Sequence, residues 1–235
     1  MKRIAPAGLM IALTGALLAL MTAAASASGI TFGAACGLSS SNTTEVPAGW
    51  SGTSFRNGFA GGASLNVPID DNFSIQPEVL YVQKGLDGSL GRGSFGYTFA
   101  ARYDYIEIPV LARYKVTTKS RVIPYLIVGP CLGINVAANV DLTFQDPVFF
   151  RTASGSVDYS NVMSTTEFSW VFGAGLGVGL GPGEVTFDAR LDLGLSKIYT
   201  GGAVHGNLGG YPYNDTVYAG TSKNLGFALL IGYTL

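Results

Sequence analysis

Residues 170–195 read WVFGAGLGVGLGPGEVTFDARLDLGL, with glycine at 173, 175, 177, 179 and 181 ahead of Pro182. A dinucleotide-binding loop spaces its glycines G-x-G-x-x-G and opens a helix. Here Gly173 and Gly175 would require a glycine where Val178 stands, and no helical pattern follows. Strict period two is instead the signature of a strand with a different environment on each face. Phe172, Ala174, Leu176, Val178 and Leu180 share one face, and the glycines share the other. Beyond the turn made by Pro182 and its flanking glycines, Val185, Phe187, Ala189, Leu191, Leu193 and Leu195 alternate with Glu184, Thr186, Asp188, Arg190 and Asp192. Two antiparallel strands are therefore expected. The glycines of the first leave room for the Asp188, Arg190 and Asp192 side chains of the second.

Six more segments repeat this pattern, and none shows sustained helical periodicity. They run over 28–38, 56–67, 73–84, 103–116, from 122 onward, and 224–235. Phe73, Ile75, Pro77, Val79 and Tyr81 alternate with Ser74, Gln76, Glu78, Leu80, Val82 and Lys84; Ile106, Ile108, Val110, Ala112 and Tyr114 alternate with Tyr105, Glu107, Pro109, Leu111, Arg113 and Lys115. The segment from Val122 is apolar on both faces, so periodicity alone does not orient it. Analogy with its neighbours places Leu126, Val128, Leu132 and Ile134 outward. Val140, Leu142 and Phe144 continue its alternation, so a hairpin is expected to project beyond the membrane, with ten strands as the alternative if residues of the 137–166 loop cross the membrane.

The connections alternate in length. Residues 68–72, 117–121 and 181–183 are short, whereas 39–55, 85–102, 137–166 and 198–222 are long. Short turns on one rim and long loops on the other are the pattern of a transmembrane β-barrel. The fold class is accordingly all-β: an antiparallel up-and-down barrel of eight strands with short periplasmic turns and long extracellular loops. A soluble lipocalin-like barrel would put its apolar face inside. In this chain the opposite face bears Gln76, Glu78, Lys84, Glu107, Arg113, Glu184, Asp188, Arg190 and Asp192, so the apolar face must meet lipid. Only a closed barrel then satisfies every backbone group. Aromatic residues near strand ends, such as Phe73, Tyr114, Phe168, Trp170 and Tyr233, suit two interfacial girdles.

The first residues supply an address. Lys2 and Arg3 precede an apolar run over about 9–20 that ends in small residues at Ala25-Ser26-Ala27. This is the form of a cleaved secretory signal over 1–27, with the barrel domain over 28–235. Cys36 would serve a lipoprotein alternative, but it lies well downstream of the apolar run. Removing Lys2 and Arg3 leaves 12 basic residues against 15 acidic ones, and no basic patch argues for nucleic acid. Cys36 falls on an outward face and Cys131 on an inward one, so two unpaired thiols are expected. Two cysteines and the single His205 lack metal-ligand spacing.

The motifs SIQPEVLYVQKGL, YDYIEIPVLARYKV and PYLIVGPCLG resemble successive strands of the bacterial outer-membrane β-barrel family often called porin-like or PorT-like. The terminal NLGFALLIGYTL is similar to the strand such barrels present to their assembly machinery. The resemblance spans essentially the whole chain after residue 27. It implies an outer-membrane location, partners in outer-membrane lipid and the assembly machinery, and an assembly signal at Phe227, Leu229, Ile231, Tyr233 and Leu235. The usual terminal aromatic is replaced by Leu235.

An eight-stranded barrel is just wide enough to be filled by side chains. Glu78, Lys84, Glu107, Arg113, Asp188, Arg190 and Asp192 are then expected as a luminal charge network, with Glu78, Glu107, Asp188 and Asp192 arranged around the two arginines. The alternative reading makes the same residues an ion-conducting constriction. Some outer-membrane barrels are lipid-modifying hydrolases using a serine, a histidine and an acid, but His205 sits in a glycine-rich loop without a paired nucleophile. The expectation is a non-enzymatic barrel without cofactor or metal. Its Ser-, Thr-, Asn- and Tyr-rich loops would contact surface ligands or proteins and support envelope integrity.

Overall fold

The computed structural model describes residues 29–45, 53–92, 95–146 and 151–235. The signal segment at 1–27 lies outside the described residues. Within them every regular element is a strand: β1 (Thr31–Thr43), β2 (Thr53–Pro68), β3 (Phe73–Arg92), β4 (Phe95–Lys115), β5 (Val122–Asp146), β6 (Arg151–Asp158), β7 (Thr166–Leu180), β8 (Gly183–Gly194), β9 (Gly202–Leu208), β10 (Tyr211–Val217) and β11 (Asn224–Thr234). Neighbouring strands pair antiparallel in the order β4-β3-β2-β1-β11-β8-β7-β5, and a β4–β5 ladder closes the ring. Eight strands therefore form a closed barrel, which leaves no open sheet edge toward lipid.

The eight expected strands are these eight, and the alternation places their faces as the sequence implies. Leu38, Phe59, Val110, Leu126, Phe172 and Leu229 are among the exposed outer residues, while Gln76, Glu78, Lys84, Glu107, Arg113 and Arg190 are buried inside. On β5, Leu126 and Val128 point outward and Tyr125, Ile127 and Cys131 inward, as assigned by analogy. Both thiols are free, Cys36 exposed and Cys131 buried.

The short-turn rim is held by local chemistry. Gly181 takes a φ of 62° ahead of Pro182, so the two-residue connection between β7 and β8 has glycine where a hairpin turn needs positive φ. At the β2–β3 turn, the Asp70 carboxylate accepts the backbone N–H groups of Asn72 and Phe73 at 2.8 and 2.7 Å.

The other rim differs from expectation. Residues 85–92 and 95–102 are the two arms of the β3–β4 hairpin, paired from Gly85↔Arg102 to Arg92↔Phe95. Residues 137–166 hold the far half of β5 and the whole of β6, which pair from Asn139↔Asp158 to Asp146↔Arg151. β6 extends the sheet above the barrel without joining its ring, so the strand count stays at eight. Within 198–222, β9 and β10 pair only with each other. Long polar segments were legible as connections, but their strand pairing depends on partners distant in sequence.

Two slips in register shape this extension. On β5, Asn135 pairs with Tyr105 but Ala137 with Asp104, so Val136 is an extra residue. A one-residue bulge exchanges faces. Val140 and Leu142 consequently point inward and are buried, opposite to the face that an unbroken alternation would give. The second slip lies between Phe55/Leu86 and Ala60/Val82. There Gly85 adopts a φ of 146°, and a Cβ on it would collide with the Ala101 carbonyl. Backbone groups freed by the slip are taken by β1: Ser39 Oγ donates to Gln83 O at 2.6 Å, and the Ser41 hydroxyl both donates to Gly85 O at 3.0 Å and accepts from its N–H at 2.7 Å.

Candidate functional site: the filled lumen

The inward faces stack into layers. Nearest the short turns, β3, β4, β5 and β8 supply Gln76, Glu78, Arg113, Tyr125, Glu184, Asp188 and Arg190. Arg190 clamps Glu78 through two contacts of 2.6 and 3.0 Å and reaches Asp188 at 2.8 Å. Arg113 pairs with Glu184 at 2.7 Å, not with the carboxylates around Arg190. Its guanidinium lies 3.7 Å from the centroid of the Tyr125 ring, and the Tyr125 phenol donates to Asp188. Gln76 joins the halves, donating to Glu78 at 2.5 Å and accepting from Arg113 at 3.4 Å. Planar guanidinium groups suit this layer because each can satisfy several fixed acceptors.

An apolar ring follows, formed by Ala60, Leu80, Val82, Pro109, Val171 and Leu230. It encloses a cavity of about 40 Å³. A second cavity of about 20 Å³ lies within the charged layer below. Spaces of this size hold one or a few waters.

Above the ring is a second charged layer. Lys84 Nζ lies 2.6 Å from Glu107, 2.6 Å from Asp192 and 3.6 Å from Glu167, with the Tyr105 ring centroid 5.2 Å away. Asn224 donates to Glu167 at 2.8 Å. Glu107 and Asp192, grouped with the arginines by sequence, thus belong to Lys84. Glu167 and Asn224 were not singled out from sequence. Both lie at the beginning of a strand, two residues before Ser169 and Gly226, so alternation gives them the inward face but not their partners. One ammonium faces three carboxylates here, and Glu167 Oε1, Asp192 Oδ1 and Asn224 Oδ1 are buried without a hydrogen-bond donor.

The top of the lumen is apolar again. Leu86, Tyr103, Tyr105, Ala138, Val140 and Leu142 of the barrel wall form one cluster with Val157, Val162, Met163, Ile198 and Val204 of the long connections. The β9–β10 hairpin is fastened to β6 by Gly209 N donating to Ser154 O at 3.0 Å. The Tyr103 and Tyr199 hydroxyls meet at 2.6 Å. Burial raises the Tyr199 phenol above its ordinary pKa.

The glycines of β7 fit this filling selectively. A Cβ on Gly175 would overlap the Tyr125 ring and the Asp188 carboxylate, and one on Gly177 would overlap Glu184, whereas Gly179 faces open space. The room is therefore made for Tyr125, Asp188 and Glu184; no such approach involves Arg190 or Asp192. His205 lies on β9, exposed, with Nδ1 2.6 Å from Asn214 Oδ1. The terminal strand β11 closes the ring between β1 and β8, with Phe227, Leu229, Ile231 and Leu235 exposed on the outer wall and the Tyr233 hydroxyl donating to Leu180 O at 3.1 Å.

A family model described as an outer membrane protein beta-barrel domain matches residues 23–200. No curated protein matches the sequence. Similar solved structures include Neisserial surface protein A, 15% identical over 88% of this chain and 97% of that one, with a TM-score of 0.42. OprG from Pseudomonas aeruginosa is 14% identical over 87% of this chain and 95% of that one, with a TM-score of 0.45. A major outer membrane protein from Thermus thermophilus is 12% identical over 88% of this chain and 100% of that one, also with a TM-score of 0.45.

Proposed function

The chain belongs to the outer membrane protein β-barrel family, and from that premise we propose that it is a non-conducting, non-enzymatic anchor holding an extracellular β-platform on the cell surface. The stacked filling of the lumen carries this reading. Two layers of interlocked charge, the apolar ring between them and the apolar cap cross the lumen, and the cavities of about 40 and 20 Å³ among them are too small to hold a hydrated solute. The platform comprises the projecting parts of β3 to β6 and the β9–β10 hairpin. Tyr211 and Tyr218, 65% and 83% exposed, give it rigid amphipathic side chains of the type that make adaptable protein or glycan contacts. Outer-membrane lipid surrounds the apolar wall, and β11 offers the assembly machinery its alternating Phe227, Leu229, Ile231 and Tyr233.

One observation favours a second reading, a narrow cation-preferring path. The Lys84 layer carries three carboxylates against one ammonium and leaves acceptor oxygens without donors. Planar-bilayer recording separates the two. Refolded protein is expected to give a silent membrane, and reproducible unit steps that shift toward cation selectivity would replace the anchor with the channel.

A further inference from the structure

We propose that the outer face of the β2–β5 extension carries a binding cleft for a neutral pyranose ring, a ligand class for the extracellular platform and one that rests on that reading. The register sets side chains of four strands in one row: Ser54 pairs with Asp87, Asp87 with Ala100, and Ala100 with Asp141. A second row, one pleat nearer the hairpin tips, is Ser89, Thr98 and Thr143. Leu86, Ala101 and Leu142, which alternate with these residues, are buried in the apolar cap. Both rows consequently face outward, and their charges place them above the lipid, where an outward carboxylate costs little.

These rows line a cleft of about 780 Å³, within the size range of small-molecule sites. Its floor is low because Ala100 stands between two longer residues. Behind the floor the Phe99 ring lies across Gly88, where a Cβ would overlap it, and packs on the cap cluster. Packed apolar side chains therefore back the cleft and preorganise it. Ser54, Ser89, Thr98 and Thr143 ring the opening with hydroxyl groups, each able to donate and to accept.

Charge decides the class of ligand. Arg56 holds Asp87 Oδ1 at 2.9 Å on one side, and Arg102 holds Asp141 Oδ2 at 2.8 Å on the other. Each ion pair fixes its carboxylate and cancels its charge, and Asp104 adds a third carboxylate to the field of the same two arginines. A sulfated or carboxylated glycan thus meets no uncompensated cation among the described residues of the cleft. The ligand is offered one further oxygen on each side, Asp87 Oδ2 and Asp141 Oδ1, and hydroxyl groups donate their stronger hydrogen bonds to ionised acceptors of this kind. The two carboxylates rise from strands on either side of β4, about 10 Å apart. One pyranose ring with a hydrogen bond of about 2.8 Å at each edge spans that gap, its C–H face resting on Ala100 and its other hydroxyls meeting the Ser and Thr rim.

The test uses full-length protein refolded into phosphatidylcholine nanodiscs. Saturation-transfer difference NMR is recorded with the methyl glycosides of glucose, galactose, mannose and N-acetylglucosamine, and with methyl glucuronide as the anionic counterpart. A neutral glycoside is expected to receive saturation, and the glucuronide to receive less. Ala100→Leu, which fills the floor, is expected to abolish the transfer, Asp87→Asn/Asp141→Asn to weaken affinity about tenfold, and Tyr218→Ser, elsewhere on the platform, to leave it unchanged. Silence from every neutral glycoside overturns the proposal, as does transfer that survives both cleft variants or a stronger signal from the glucuronide. Heat-modifiable migration in electrophoresis confirms that each variant is folded, and the asparagine pair decides alone if the leucine variant is not. Sugar binding by refolded protein does not depend on conductance, so unit steps in a planar bilayer would replace the anchor and leave this result standing.

Discussion

Gly175 and Gly179 occupy equivalent inward positions on one strand, yet they have different consequences. A side chain at Gly175 would displace the Tyr125 ring and the Asp188 carboxylate, while Gly179 faces open space. Gly175→Ala is therefore expected to lower the urea midpoint by the equivalent of about 1–3 kcal/mol, the usual cost of overpacking, and Gly179→Ala to leave it nearly unchanged. Equal midpoints for the two variants would remove the packing role assigned to Gly175. Arg190 presents the converse case. It satisfies Glu78 and Asp188 together, so Arg190→Ala leaves buried carboxylates uncompensated, at a cost of about 3–5 kcal/mol. An unchanged unfolding midpoint in detergent would contradict the paired luminal role. The identity of each partner was not legible in the sequence. Alternation told which charges face inward, but ring closure and strand stagger decided that Arg113 meets Glu184 and that Lys84 meets Asp192.

At the scale of elements, period two located the barrel strands, and oriented all of them but β5, because where they cross the lipid most carry polar or small residues on the face turned to the interior. β6, β9 and β10 lack that contrast. They lie above the lipid, where both faces meet either water or the cap, and their residues read as loop. The bulge at Val136 also escaped the pattern, since small and apolar residues occupy both faces of β5 there and no change of polarity marks the slip. The β9–β10 hairpin forms its own two-stranded sheet, so its removal takes no rung from the barrel. Replacing residues 202–217 by a short linker is expected to preserve heat-modifiable migration and barrel circular dichroism, while exposing part of the apolar cap. Loss of the folded band would show instead that the hairpin is needed for closure.

On the scale of the whole molecule, closure turns local amphipathic strands into a sealed object. Cys36 and Cys131 report on it. In detergent micelles at alkaline pH, where water and thiolate reach the outer wall, a maleimide is expected to label Cys36 well ahead of Cys131, which is buried and should react only after global unfolding; equally fast labelling of both would mean that the interior is open. By itself the sequence determined the fold class, the apolar exterior and the charged interior, because each follows from side-chain alternation along single strands, while the choice of eight strands over ten waited on β6 being seen to stay outside the ring. Only the tertiary structure decided the division of the charges into two layers and the apolar cap. Those features depend on which strands lie side by side and at what stagger, and that relation is set by ring closure between residues as far apart as Cys36 and Ile231, beyond the reach of any local period.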